Sequence, residues 1–147
     1  MTAVRTRRSA PRGQSLVEFA LVFPVFVLLF AAIVQFGMIF WAQNTLTQVV
    51  RDTGRWAATQ QDCSGATILT KANEIAGNSA LLGYSNWTAA DVSVSWSGDP
   101  CPPTDNTEAS FVEISVAHAI PVFFPWLPVV PDTLHASAEY RLEPKPR

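Results

Sequence analysis

The sequence predicts an α+β protein. A long N-terminal transmembrane helix continues outside the membrane and packs with a second helix and a small antiparallel sheet of about three strands. Three observations predict it. Phe19 to Trp41 (FALVFPVFVLLFAAIVQFGMIFW) carries no charge, and only Pro24, Gln35 and Gly37 interrupt its apolar side chains. A helical apolar pattern then continues past Trp41. Finally, three later segments alternate apolar and polar residues with the period of a half-buried strand.

The apolar run would span about 34 Å as a helix, against a hydrocarbon core of about 30 Å. About 90 residues follow the helix and its extension, enough for one compact unit with a modest core. Such a unit could not surround a helix that is apolar on every side. A cleaved secretory signal fits poorly, because the run is too long and no A-x-A spacing of small residues follows it. Pro24 is expected in the first turns of the helix, where proline is tolerated. Trp41 is expected at the lipid–water interface. Arg5, Arg7, Arg8 and Arg12 precede the run, with no acid among the first 17 residues. That bias predicts a cytoplasmic N-terminus and an extracytoplasmic C-terminal domain. Without the first 13 residues, 6 Lys/Arg face 12 Asp/Glu, a net charge of −6. Such an acidic surface argues against a nucleic-acid partner.

From Ala42 to Gln60 no proline intervenes, and Leu46, Val49, Val50, Thr53, Trp56 and Ala57 mark one apolar face. Gln43, Gln48, Arg51, Asp52 and Arg55 fall mostly on the other side. The apolar face is read as packing on the chain's own domain, with a partner's helix as the alternative. Gly54 is a cost of about 1 kcal/mol to the helix relative to alanine. The resulting layout is a basic leader at 1–13, the membrane helix with its extension at 14–60, and a small domain at 61–147.

A second helix is predicted from about Gly65 to Leu82, capped by Ser64 and ended by Gly83. Its stripe is Ile68, Leu69, Ala72, Ile75, Ala76 and Leu82. The strands follow at Val92–Ser97, Val112–Ile120 and Leu134–Leu142, joined as a meander on the long helix. Between the last two, Val122 to Pro131 (VFFPWLPVVP) is apolar yet broken by Pro125, Pro128 and Pro131. It is a loop, either covering the core or exposed as a surface for the outer leaflet or another subunit.

Cys63 and Cys101 both follow the membrane run. Outside the cytoplasm a disulfide is the default. It would close a loop of roughly 40 residues and add about 3–4 kcal/mol in the chain-entropy picture. Two free thiols are the main alternative and a metal site a third. Cys63, Cys101, His118 and His135 lack the paired spacing of a zinc centre. His118, on the apolar face of its strand, reads as a hydrogen-bonded core residue. There is no G-x-S-x-G, no phosphate-binding glycine loop and no assignable pair of acids. The expectation is a non-enzymatic protein without a cofactor.

The junction before the membrane run carries the most specific signal: Arg12-Gly13-Gln14-Ser15-Leu16-Val17-Glu18-Phe19. Ser15-x-x-Glu18 also has the form of a capping box, which could account for those two residues alone. It does not account for a glycine after a basic leader or for Phe19 beside the glutamate. This stretch resembles the processing site of type IV pilin-like proteins. Specifically it is similar to the TadE-like family of minor pseudopilins from tight-adherence (Flp) pilus systems. Gln48-Val49-Val50-Arg51-Asp52-Thr53-Gly54-Arg55 and, more loosely, Ala136 to Glu143 are in the same style.

The resemblance implies a pilin-like fold and a cut by a prepilin peptidase between Gly13 and Gln14. Glu18 would be the assembly and recognition carboxylate and Phe19 its adjoining recognition side chain. It implies, as partners, the lipid bilayer, the prepilin peptidase, an assembly ATPase, a pilus assembly platform and other pilin-like subunits. A different class of function is an uncleaved, single-pass anchored module that binds a ligand or envelope protein through its outer domain.

Overall fold

The computed structural model of the chain describes residues 12–60, 64–97, 110–127 and 130–142, with the backbone alone at Arg12. Helix α1 (Arg12–Thr59) runs unbroken for 48 residues, about 72 Å at 1.5 Å per residue. Its surroundings change along its length. From Gly13 to Phe30 every side chain is exposed. From Ala31 onward a buried stripe appears: Ala31, Gln35, Ile39, Ala42, Leu46, Val49, Val50, Thr53 and Ala57. Steps of mostly three and four residues keep these side chains on one side of the helix.

The face expected to be apolar is therefore buried against the chain's own sheet and second helix. Trp56 is half-buried there, while Gln48, Arg51, Asp52 and Arg55 are exposed. Thr53, polar yet fully buried, satisfies its hydroxyl by donating to the Val49 carbonyl at 2.7 Å.

The structure corrects the expectation for Pro24. Because α1 already includes Arg12, Pro24 lies more than three turns inside it. Proline has no N–H, so the Ala20 carbonyl loses its normal i+4 donor.

Helix α2 (Gly65–Asn78) buries Ile68, Ala72 and Ala76. It ends before Leu82, the expected last member of its stripe. Ser79 turns to an extended conformation, and both its N–H and its hydroxyl donate to the Ala76 carbonyl, at 3.1 and 2.8 Å. Gly83 consequently serves a different purpose. Its φ is +76°, and a Cβ there would lie 2.7 Å from Pro121 Cδ. Glycine is required both by the left-handed backbone and by the close approach. Ser64 takes the N-cap position of α2, but its side chain makes no capping bond.

Strands β1 (Val92–Ser97), β2 (Phe111–Ala119) and β3 (Thr133–Arg141) form an antiparallel meander in the order β1-β2-β3. The register pairs Val94 with Ile114 and Val112 with Tyr140. In β2 the alternation is sharp: Val112, Ile114, Val116 and His118 are buried, and Glu113 and Ala119 are exposed. Burying one row follows from the two-residue period of the pleat. The buried row joins Leu46, Val49, Val50 and Ile68 in one core between the sheet and the two helices.

His118 is the expected hydrogen-bonded core residue. Its Nδ1 accepts from Trp87 Nε1 at 3.2 Å, and its Nε2 lies 2.9 Å from the Leu82 carbonyl. A neutral ring protonated on Nε2 satisfies both contacts. Asn73 completes the clamp on this turn. Its Oδ1 accepts from the Trp87 backbone N–H at 2.7 Å, and its Nδ2 donates to the Trp87 carbonyl at 3.0 Å.

The proline-broken segment between β2 and β3 is a loop, closed at its base by the Ile120 N–H donating to the Asp132 carbonyl at 2.8 Å. Val130 packs on the core. The other end of the loop reaches α1, where the Phe123 N–H donates to Gln35 Oε1 at 3.1 Å. The loop therefore meets the helix within the apolar run.

Candidate processing and assembly site

Gly13, Gln14, Glu18 and Phe19 occupy the first turns of α1. Among the described residues nothing lies within 4 Å of the place where a Gly13 side chain would begin. No packing constraint among the described residues therefore explains a glycine there.

The structure brings Gln14 and Glu18 together. Gln14 Nε2 donates to Glu18 Oε1 at 3.0 Å, an i, i+4 contact on the helix surface. Both residues are exposed, as are Leu16, Val17 and Phe19 around them. The Glu18 carboxylate thus stands on an otherwise apolar cylinder with one amide donor beside it. Phe19 turns toward the next turn of the helix, its ring 5.3 Å from that of Phe23 and tilted by 31°.

The capping-box reading of Ser15 and Glu18 does not hold for the described helix. Both residues lie inside α1, whose first turn contains no acid. A cap must sit at the boundary to supply the orphan N–H groups.

α1 is long and apolar enough to cross a membrane, by length and composition. Residues 13–55 match the family model of TadE-like proteins. The TadE-like segment starts at Gly13, takes in Gln14, Glu18, Phe19 and the whole exposed cylinder, and ends at Arg55, near the end of α1. The sheet and α2 lie outside the match. No curated protein and no solved structure matches the chain.

Beyond the TadE-like segment, the described residues offer little chemistry. No group of three His, Cys, Asp or Glu side chains among them could hold a metal ion. An open groove between α1 and α2 is lined by Trp56, Ala66, Thr67, Thr70, Lys71 and Glu74. There Lys71 pairs with Glu74 at 2.9 Å and lies 5.8 Å from the centre of the Trp56 ring. Cys63 and Cys101 fall outside the described residues.

Sequence reasoning missed Gln35, counted only as a polar interruption of the apolar run. It is 1% exposed, accepts from the loop through Oε1, and leaves its Nε2 without a partner among the described residues. A buried amide opposite a proline-rich apolar segment was the available signal, but nothing in the spacing pairs residue 35 with residue 123.

Proposed function

We propose that the protein is a membrane-anchored minor pseudopilin of a tight-adherence type IV pilus, acting as a structural and assembly component without enzymatic activity. The supporting observation is the coincidence of the family match with the junction. The TadE-like segment begins at Gly13, and the carboxylate of Glu18 follows five residues later on an exposed apolar helix.

The physical logic runs through that carboxylate. In the bilayer centre an acid costs about 2.5–3.5 kcal/mol, and less near the interface. One neutral donor from Gln14 leaves most of its capacity unmet. A cation on a neighbouring subunit would meet it, and cleavage after Gly13 creates one: the new amine at Gln14. On this reading a prepilin peptidase cuts the basic leader on the cytoplasmic side, and Phe19 is read together with Glu18. The assembly ATPase, the platform and other pilin-like subunits then take up the trimmed chain. Because residues 12–14 are helical, the first turn must unwind to enter a protease, and Gly13 lowers that cost.

N-terminal sequencing of the membrane-extracted protein tests this, in cells with and without the prepilin peptidase. The expected mature start is Gln14, only when the peptidase is present. Gly13→Leu should abolish the cut and leave the protein in the membrane with its arginines attached. An intact leader in the wild type under active peptidase would overturn the pseudopilin reading in favour of an anchored binding module.

A further inference from the structure

We infer that the Pro121–Leu127 stretch of the loop between β2 and β3 is a second membrane contact. Phe123 and Trp126 lie in the interfacial layer of the leaflet nearest the sheet, at the level of Gln35. They, rather than Trp41, mark where α1 leaves the lipid. The inference rests on the single-pass reading of α1 and adds the depth at which the domain sits.

The stretch of α1 exposed on all sides runs from Gly13 to Phe30, about 27 Å of helix and close to one hydrocarbon thickness of about 30 Å. The buried stripe begins directly after it, at Ala31. If Trp41 marked the boundary instead, Gln35 and the backbone of Phe123 would be submerged about 9 Å, six residues of rise.

Irregular chain facing lipid is excluded from hydrocarbon because its N–H and C=O groups find no partner. Four residues of this loop are prolines, at 121, 125, 128 and 131, which removes four donors. The N–H groups of Ile120, Phe123 and Leu127 are bonded to Asp132 O, Gln35 Oε1 and Phe124 O. Those of Val122, Phe124 and Trp126 have no protein partner among the described residues. A donor-poor but not donor-free loop suits the hydrated headgroup layer and not the core beneath it.

Phe123 and Trp126 are 54% and 53% exposed, and Trp126 is braced edge-on by Phe124, with centroids 5.8 Å apart. Exposed aromatics beside a membrane helix favour this layer, where the indole N–H stays hydrated.

The test uses the full chain in phosphatidylcholine vesicles, brominated either near the glycerol end or near the methyl end of the acyl chains. The Trp126 signal is the difference between wild type and Trp126→Phe. Expected is strong quenching of that difference by the shallow bromine, weaker quenching by the deep one, and poor access for acrylamide. Phe123→Trp in the Trp126→Phe background should report the same ranking. If the vesicles float with the protein after carbonate washing, yet neither bromolipid quenches the Trp126 signal, the inference fails and the anchor stands. A Trp126 shielded from bromolipid and acrylamide alike would mean that protein covers it, and this also overturns the inference. If carbonate releases the protein, the anchor reading itself falls.

Discussion

At the scale of single residues, the turn after α2 is held by short polar contacts. Asp91 shows how. Its carboxylate accepts from both the N–H and the hydroxyl of Thr88, each at 2.8 Å. These two bonds hold its pKa below the usual carboxylate range, outweighing the small opposing effect of desolvation. A depressed folded-state pKa means stability that is present above the unfolded value, about 3.9, and lost as pH falls through the folded one. Asp91→Asn should therefore destabilise the domain at neutral pH. The gap between wild type and variant should narrow once the pH drops below about 4. Denaturant titrations at pH 7 and pH 3 measure it, and a gap independent of pH would contradict the assignment. The role of His118 was legible, since a histidine on the apolar row of a strand must find bonds inside. Its partners were not. Trp87 and Leu82 lie 31 and 36 residues away, and strand periodicity carries no information across that distance.

At the scale of elements, the packing of α1 on the sheet turns on Gly54. Read from the sequence, it is a weak point in a helix. In the structure, a Cβ at Gly54 would come within 2.5 Å of two ring carbons of Tyr140, so the glycine lets β3 lay its tyrosine against the helix. Overpacking costs about 1–3 kcal/mol, against a helix-propensity gain of about 1 kcal/mol. Gly54→Ala should therefore destabilise the wild type by up to about 2 kcal/mol, and should be neutral or stabilising in a Tyr140→Ala background. Unfolding of all four proteins in detergent, followed by tryptophan fluorescence, closes the cycle. Additive effects would rule out the contact. Helices and strands themselves were legible, because periods of 3.6 and 2 are local properties of the chain. The end of α2 was not, because Ser79 stops the helix through its own bonds to Ala76 while the apolar spacing runs on to Leu82.

At the scale of the whole molecule, the layout of one long helix, one short helix and a three-stranded sheet follows from the sequence. The junction resemblance agrees with the match over residues 13–55. What could not be read was the meeting of the loop with Gln35, which depends on how the sheet is set along the helix. The two cysteines bear on the same scale. They flank, respectively, the start of α2 and the end of β1. A Cys63–Cys101 bridge would tie the helical half of the domain to the sheet. Non-reducing peptide mapping of the membrane-extracted protein should yield the linked peptide. Reduction should then cost up to about 3–4 kcal/mol of stability. Recovery of both cysteines as free thiols would dismiss the bridge.

The unbroken course of α1 has a mechanical consequence. The exposed cylinder and the core-facing stripe belong to one continuous helix, so force applied near Glu18 is carried along it to the sheet, which meets α1 at Gln43, about 38 Å away along the axis. The one flaw in the rod is the missing bond opposite Pro24. Bending is therefore concentrated at Pro24, within the exposed apolar cylinder, and the folded head beyond it is levered as a unit.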